Sequence, residues 1–210
     1  MPQLYLLSSI SRQIDRVPAL RDALWATEAR LLERVMRAAA AGDPDAASDR
    51  GARLGRLAGP RLRKHQHVIA NLQMAFPRLP RHRLEAMAKD VWGAIGRTLV
   101  EYALLHRICD PAEARVRVVD MGGLEAVRSS GRPGVFVSAH LANWNLLPLA
   151  ATRAGLPLAA VYRRQSNPHI ERLMQGWQST LGCRFLEVRE ASRPLLRELQ
   201  QGCSVGLLID

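Results

Sequence analysis

The chain has 210 residues, of which 48% are hydrophobic, so we expect one domain with a sizeable core and a helical prelude. Its net charge is +11, and 28 of its 30 basic residues are arginine, with Lys64 and Lys89 as the exceptions. Arginine grips carboxylates and phosphates through a two-pronged fork, which indicates an anionic partner such as phospholipid head groups, an acidic carrier protein or nucleic acid. The three cysteines lack C-x-x-C spacing and indicate neither a disulfide framework nor a zinc site, which fits a reducing compartment.

The first half of the chain predicts four helices. Apolar positions recur at helical spacing over residues 18–41, and a second helix is predicted over residues 45–59. In that second helix Gly51, Gly55 and Gly59 lie four apart, which favours close backbone packing within a soluble protein, since arginines stand between the glycines. A third helix is predicted over residues 61–76 and a fourth over residues 80–108.

After Pro111 short β-branched runs alternate with helical stretches. Strands are predicted over residues 116–120, 134–138, 158–162, 184–188 and 204–209. Helices are predicted over residues 143–154, 168–181 and 193–201. This alternation predicts an α/β fold, in which a helical N-terminal region over residues 1–110 precedes a mostly parallel sheet with flanking helices over residues 111–210. The chain ends directly after its last predicted strand, which suggests a fragment or a truncated gene product.

The sequence predicts neither a signal peptide nor a transmembrane span. Residues 1–10 lack a basic n-region. The uncharged stretch over residues 133–152 is long enough to cross a bilayer, but we reject it as a span because it contains His140, Asn143, Asn145 and Pro148. Any membrane contact is therefore expected to be peripheral.

Residues 61–90 hold seven basic residues against the two acids Glu85 and Asp90. This segment is either a docking surface for an anionic partner or a solvated helix face, and the sequence leaves both interpretations open. The basic residues have no interleaved aromatics and match no reader motif, which argues against a nucleic acid partner.

The most informative motif is Ser-Ala-His-Leu-Ala-Asn-Trp-Asn over residues 138–145. A predicted buried strand carries His140 to its end, and Asn143 and Asn145 follow in the next turn. Active sites of parallel α/β proteins lie at the carboxyl ends of strands, so His140 is a candidate general base. The alternative is a structural histidine at a strand end. A histidine base commonly has a carboxylate beside it, whereas this motif offers the amide of Asn145.

Further polar residues follow the neighbouring strands. If the strands are parallel, Arg163 emerges at the same edge as His140, where it could bind a phosphate or an oxyanion. Asn167 precedes Pro168 and could equally bind substrate or cap a helix. Asp210 ends the last strand with the same ambiguity. Motifs for a serine hydrolase, a P-loop or a dinucleotide site are absent, and His65 and His67 are wrongly spaced for a metal pair.

These segments resemble the bacterial lipid A biosynthesis acyltransferases, the lauroyl and myristoyl transferases of the wider glycerolipid acyltransferase group. The resemblance runs from about residue 61 to residue 210. It rests on four segments in order and spacing: Ile-Ala-Asn-Leu-Gln-Met-Ala-Phe-Pro at 69–77, His-Leu-Ala-Asn-Trp-Asn at 140–145, Val-Tyr-Arg at 161–163 with Asn167 and Pro168, and Leu-Leu-Ile-Asp at 207–210.

The resemblance implies transfer of a fatty acyl chain from acyl carrier protein to a hydroxyl of an anionic lipid A precursor, without metal or cofactor. It implies a protein at the cytoplasmic face of the bacterial inner membrane. It also implies a site in which His140 and Asn145 are catalytic and Asn143, Arg163, Asn167 and Asp210 bind substrate. The family's H-x-x-x-x-[DE] motif has an acid at the position of Asn145, and the membrane-anchoring helix usual in the family is not found in this sequence.

An amide can orient the histidine ring but carries no charge to stabilise an imidazolium. Replacing the corresponding aspartate of a serine protease by asparagine lowers turnover about 10⁴-fold. Two interpretations therefore follow: an acyltransferase slowed by Asn145, or a non-catalytic homologue that binds lipid or a membrane surface.

Overall fold

The computed structural model describes residues 17–187 and 192–209. The described helices are α1 (Pro18–Ala39), α2 (Pro44–Ala58), α3 (His65–Ala75), α4 (Arg81–Ala103), α5 (Leu105–Ile108), α6 (Gly123–Ser130), α7 (Leu147–Arg153), α8 (Pro168–Gln178) and α9 (Ser192–Gln200). The strands in the same residues are β1 (Val135–Ser138), β2 (Leu158–Tyr162), β3 (Arg184–Glu187) and β4 (Ser204–Leu208). Short 3-10 helices occupy Gly59–Arg61, Pro111–Glu113, Trp144–Leu146 and Ser179–Leu181.

The chain divides into two compact units. The sheet unit comprises Val118–Ala139 with the described parts of Met1–Val35 and Leu147–Asp210. The helical unit comprises Met36–Arg117 and His140–Leu146. The loop that follows β1 thus belongs to the helical unit, although the strand belongs to the sheet unit. The domain division predicted between residues 110 and 111 stays a prediction.

The sheet has the strand order β1-β4-β2-β3, and every pairing is parallel. Ser138 at the end of β1 lies opposite Leu208 in β4, and Tyr162 at the end of β2 lies opposite Glu187 in β3. Parallel strands need crossover connections, and the intervening helices α7, α8 and α9 supply them. The α/β fold with a parallel sheet and flanking helices is therefore confirmed, and each of the four strands begins or ends within a residue or so of its predicted bounds.

The strand predicted over residues 116–120 is wrong. No strand includes those described residues, and Val119 is 65% exposed. The carboxylate of Asp120 instead accepts the backbone N–H groups of Leu124 and Glu125, at 3.0 and 2.9 Å. It thereby satisfies donors at the start of α6, a helix that was not predicted. The alternating valines of residues 116–120 do not form a strand, because the segment ends at Asp120, which caps the following helix.

Helices α2 and α4 pack with their backbones in contact. A Cβ added to Gly51 would lie 2.5 Å from the carbonyl oxygen of Gly96, and one added to Gly96 would lie 2.2 Å from the carbonyl oxygen of Gly51. Side chains larger than hydrogen are therefore excluded from this contact. The close packing predicted from the glycine spacing is confirmed, and its partner is α4.

Two small apolar cores complete the helical unit. One is formed by Ala47, Val100 and Leu104, and the other by Ile69, Leu84 and Ala88. The predicted third helix starts later than expected, at His65, because a 3-10 turn occupies Gly59–Arg61. The predicted fourth helix ends at Ala103, and the short α5 continues after it.

His65 is a buried structural histidine. The indole Nε1 of Trp92 donates to its Nδ1 at 3.1 Å, so the ring proton resides on Nε2, which lies 2.9 Å from a carboxylate oxygen of Glu85. Both ring nitrogens are thus occupied in a neutral tautomer. This arrangement joins α3 to α4.

Within residues 17–187 and 192–209, no helix combines the length and the apolar character needed to cross a bilayer.

Candidate active site

The loop over residues 140–146 is fixed by α4. The hydroxyl of Thr98 donates to the carbonyl oxygen of Ala142 at 3.3 Å. Ala142 has a φ of 46°, in the left-handed region that a residue with a Cβ adopts at a cost of about 1–2 kcal/mol. Strain of this kind concentrates at functional sites, where the surrounding structure enforces it. His140 is exposed on this loop, and its ring meets the edge of Trp144 with 4.9 Å between centroids.

Asn143 and Asn145 form a linked pair of amides in the same loop. Oδ1 of Asn143 accepts from the backbone N–H of Asn145 at 3.3 Å and from its Nδ2 at 3.1 Å. Asn145 is buried, with 8% of its surface exposed. The structure thus brings His140, Asn143 and Asn145 together on one short loop, with the amide of Asn143 at its centre.

A carboxylate that sequence reasoning missed stands behind this loop. Nδ2 of Asn143 donates to Oε2 of Glu101 at 2.8 Å, and the other carboxylate oxygen accepts from the hydroxyl of Ser48. Arg97 donates to Ser48 at 3.2 Å and to Asp49 at 2.9 Å. Ser48 lies on α2 and Glu101 on α4, so the glycine contact between these helices places the carboxylate.

One signal in the sequence could have pointed to Glu101. Thr98 and Glu101 are polar residues three positions apart, so they share a face of α4. Both side chains contact the loop over residues 140–146. A polar pair on a helix face that is otherwise rich in apolar residues often marks a buried polar contact.

Asn167 caps α8 and forms hydrogen bonds to α1 within the sheet unit. Its Oδ1 accepts the backbone N–H of His169 at 2.9 Å, which caps α8, and its Nδ2 donates to Glu28 and to the carbonyl oxygen of Trp25, both at 3.0 Å. Only 7% of its surface is exposed. The capping role is confirmed, and a role in binding substrate stays a prediction.

The segment between β2 and α8 is held by a buried acid, Glu171, which is 2% exposed. Its carboxylate accepts from the hydroxyl of Tyr162 at 2.7 Å and from the backbone N–H of Gln165 at 2.8 Å. Burial, and next the bond to this carboxylate, raise the pKa of Tyr162 above its usual value of 10.0. Arg163 lies in the segment so fixed and is exposed.

The carboxyl ends of β1, β2 and β4 lie at one edge of the parallel sheet. In the sequence His140 follows the last residue of β1 by two positions, and Arg163 follows the last residue of β2 by one. Asp210 lies outside the described residues. Its place in the site, and the grouping of His140 with Arg163, stay predictions.

The described His, Cys, Asp and Glu side chains are the possible metal ligands, and the described cysteines are the possible thiol nucleophiles. Over residues 17–187 and 192–209, no three His, Cys, Asp or Glu side chains lie close enough together to hold a metal ion. Burial raises the pKa of Cys183 to about 11, so its thiol is protonated at neutral pH. Burial also raises the pKa of Cys203. Protonated thiols are poor nucleophiles.

The basic residues of the 61–90 segment are exposed. We call the basic surface the six side chains of Arg61, Arg63, Lys64, Arg78, Arg81 and Arg83. Large apolar side chains of the same segment are also exposed, among them Leu62, Met74 and Phe76. The helical unit thus presents cations and apolar groups together.

Comparison with known proteins identifies the class. Residues 28–210 match the family model described as bacterial lipid A biosynthesis acyltransferase, and the chain belongs to that family. It is similar to lipid A biosynthesis acyltransferase 2 of Shigella flexneri, with 24% identity over 154 residues, which cover 72% of this chain and 49% of the relative. The chain therefore spans about half the length of this curated relative. No solved structure matches the chain.

Proposed function

We propose that the protein transfers a fatty acyl chain from acyl carrier protein to a hydroxyl group of a lipid A precursor. The observation that carries this proposal is the placement of His140, exposed on a strained loop that Thr98 and Glu101 tie to α4 through its neighbours Ala142 and Asn143. An exposed imidazole on a fixed loop suits a general base, because its ring must reach the substrate without moving the backbone.

In the proposed reaction His140 takes the proton of the acceptor hydroxyl. The hydroxyl oxygen attacks the thioester carbonyl, and an ester C–O bond forms as the C–S bond of the carrier breaks. The imidazolium then returns the proton to the departing thiolate. Arg163 and Asp210, each following a strand of the sheet, are proposed to bind the acceptor, with the guanidinium taking its phosphate. Asn143, Asn145 and Asn167 are proposed to hold the loops that frame the site.

We further propose that the protein works at the cytoplasmic face of the bacterial inner membrane through peripheral contact. The basic surface supports this, because each cation near an anionic membrane contributes about 1 kcal/mol of attraction. Exposed apolar side chains such as Met74 and Phe76 lie in the same segment. An acidic acyl carrier protein is the second anionic partner that these cations suit.

The alternative is a non-catalytic homologue that binds lipid, because Asn145 stands where the family motif has an acid. Single-turnover transfer from acyl carrier protein to a lipid A precursor distinguishes the two. We expect measurable transfer by the parent and a loss of about 100-fold or more in His140→Ala, the usual range for removing a general base. His67→Ala is the matched control, since His67 is also exposed in the helical unit. No transfer by the parent, or equal rates in the two variants, overturns the enzymatic proposal.

A further inference from the structure

We infer that Glu101 supplies, through Asn143, the negative charge that the family motif carries at the position of Asn145. Glu101 is then a positioning residue, which acts on the loop of His140 without touching substrate. This inference rests on the function proposed above. In this arrangement the negative charge lies at Glu101 on α4, and the loop carries the neutral amide of Asn145.

The hydrogen bonds from Glu101 to the loop run in one consistent direction. Asn145 donates its backbone N–H and its Nδ2 to Oδ1 of Asn143, and Asn143 donates its own Nδ2 to Glu101. Each acceptor along this path polarises the donor before it, so the amides and the carboxylate strengthen one another. The last bond is charge-assisted and about twice as strong as a bond between neutral groups.

The charge of Glu101 is not directly neutralised by the nearby cation. Arg97 donates to Ser48 and forms its ion pair with Asp49, while the Ser48 hydroxyl lies between Arg97 and Glu101. One carboxylate oxygen of Glu101 is thus bound by a neutral hydroxyl and the other by a neutral amide. The neutral partners do not cancel the negative charge of this partly buried carboxylate, so its electrostatic field extends to the loop. Asn143 lies between the carboxylate and the rest of the loop.

An amide at position 145 is the side chain that fits this arrangement. A carboxylate there would face Oδ1 of Asn143, an acceptor opposite an acceptor. It would also place a second negative charge one amide away from Glu101, and the two charges would repel each other. Two carboxylates at positions 101 and 145 therefore oppose each other, whereas Glu101 and Asn145 complement each other.

The test removes the charge from Glu101 and returns it to position 145. Glu101→Gln keeps the shape and can still accept from Asn143, so we expect the single-turnover rate to fall about tenfold or more while the KM for the acyl carrier changes less than about twofold. Adding Asn145→Asp to Glu101→Gln should recover most of that loss. In the parent background the same Asn145→Asp change should lower the rate, because the new carboxylate would face the acceptor oxygen of Asn143 and the charge of Glu101.

Asp49→Asn is the matched control. Asp49 is a carboxylate of the same cluster that pairs with Arg97 on the far side of Ser48. This variant should transfer acyl chains at the parental rate. If Glu101→Gln is also as fast as the parent, or if Asn145→Asp fails to rescue it, the inference is overturned while the proposed function stands.

If the parent shows no transfer, the proposed function is overturned. The link between Glu101 and the loop can still be tested by a measurement that needs no substrate. The side-chain amide signals of Asn143 and Asn145 are followed by NMR. Glu101→Gln should shift both pairs and speed exchange of the Asn143 amide protons, whereas Asp49→Asn should leave them unchanged. If both signals remain as in the parent, Glu101 does not act on the loop and the inference is wrong.

Discussion

The carbonyl oxygen of Trp92 lies 2.1 Å from the point at which a Cβ on Gly55 would stand. Gly55→Ala should therefore force α2 away from α4 and lower the free energy of unfolding by about 1–3 kcal/mol, as overpacking does. Urea denaturation measures the change. Gly176→Ala in α8 is the control, because an added Cβ there meets nothing within 4 Å. It should raise stability by about 0.5–1 kcal/mol, and a similar loss in both variants would refute the packing argument.

The bond from Trp92 to His65 predicts a second stability effect. Trp92→Phe leaves the buried Nδ1 of His65 without its donor, which should cost about 1–3 kcal/mol in the free energy of unfolding, in addition to lost packing. Combining it with His65→Leu removes the unsatisfied acceptor as well. The double variant should lose less than the sum of the two single variants, and strict additivity would show that the two rings are energetically independent.

Asp120 predicts a loss of stability in acid. Backbone N–H groups, first that of Glu125 and then that of Leu124, lower the pKa of Asp120 below its usual value of 3.8. A group whose pKa is lower in the folded state stabilises the protein above its unfolded pKa, and that contribution is lost as the pH falls through the folded pKa. Urea unfolding at several pH values between 6 and 3 should therefore show a shallower decline for Asp120→Asn. An unchanged slope would contradict the prediction.

The basic surface predicts binding to anionic vesicles that weakens with salt. The triple variant Arg61→Glu, Arg63→Glu and Lys64→Glu should lower affinity about 100-fold or more, because each of the three lost cations contributes about 1 kcal/mol and the added carboxylates are repelled. Arg193→Glu with Arg197→Glu, on exposed positions of α9, is the control and should bind as the parent does. Co-sedimentation with anionic and neutral vesicles measures both variants. Equal binding of the parent to the two kinds of vesicle would show that these side chains are merely solvated.

Local sequence patterns correctly predicted the features that depend on residues close together in the chain. The spacing of Gly51 and Gly55 predicted a close helix contact, because residues four apart lie on the same face of a helix. The Asn167-Pro168 pair predicted a cap, because a cap is formed by the residue just before the helix. The parallel sheet followed from the alternation of strands and helices. Residues 116–120 were misread as a strand because valine alternation is the same in a strand and in an exposed segment that leads into a helix cap.

Contacts between distant segments could not be predicted in this way. Glu101 and Asn143 are 42 positions apart, and no pattern in either segment identifies the other. Their bond depends on how the loop after β1 lies against α4. The sequence motif has no acid at position 145, whereas the structure places the carboxylate of Glu101 on α4 beside Asn143 and Ser48, within the helical unit.

The bond from Asn167 to the carbonyl oxygen of Trp25 joins residues 142 positions apart. During synthesis α1 leaves the ribosome well before Asn167, whose amide binds it, has been translated. At about 5–20 residues per second the helix waits roughly 7–30 s for its partner. The bond that holds α1 therefore forms well after the helix has been synthesised. During that interval a chaperone or a membrane surface can bind the helix.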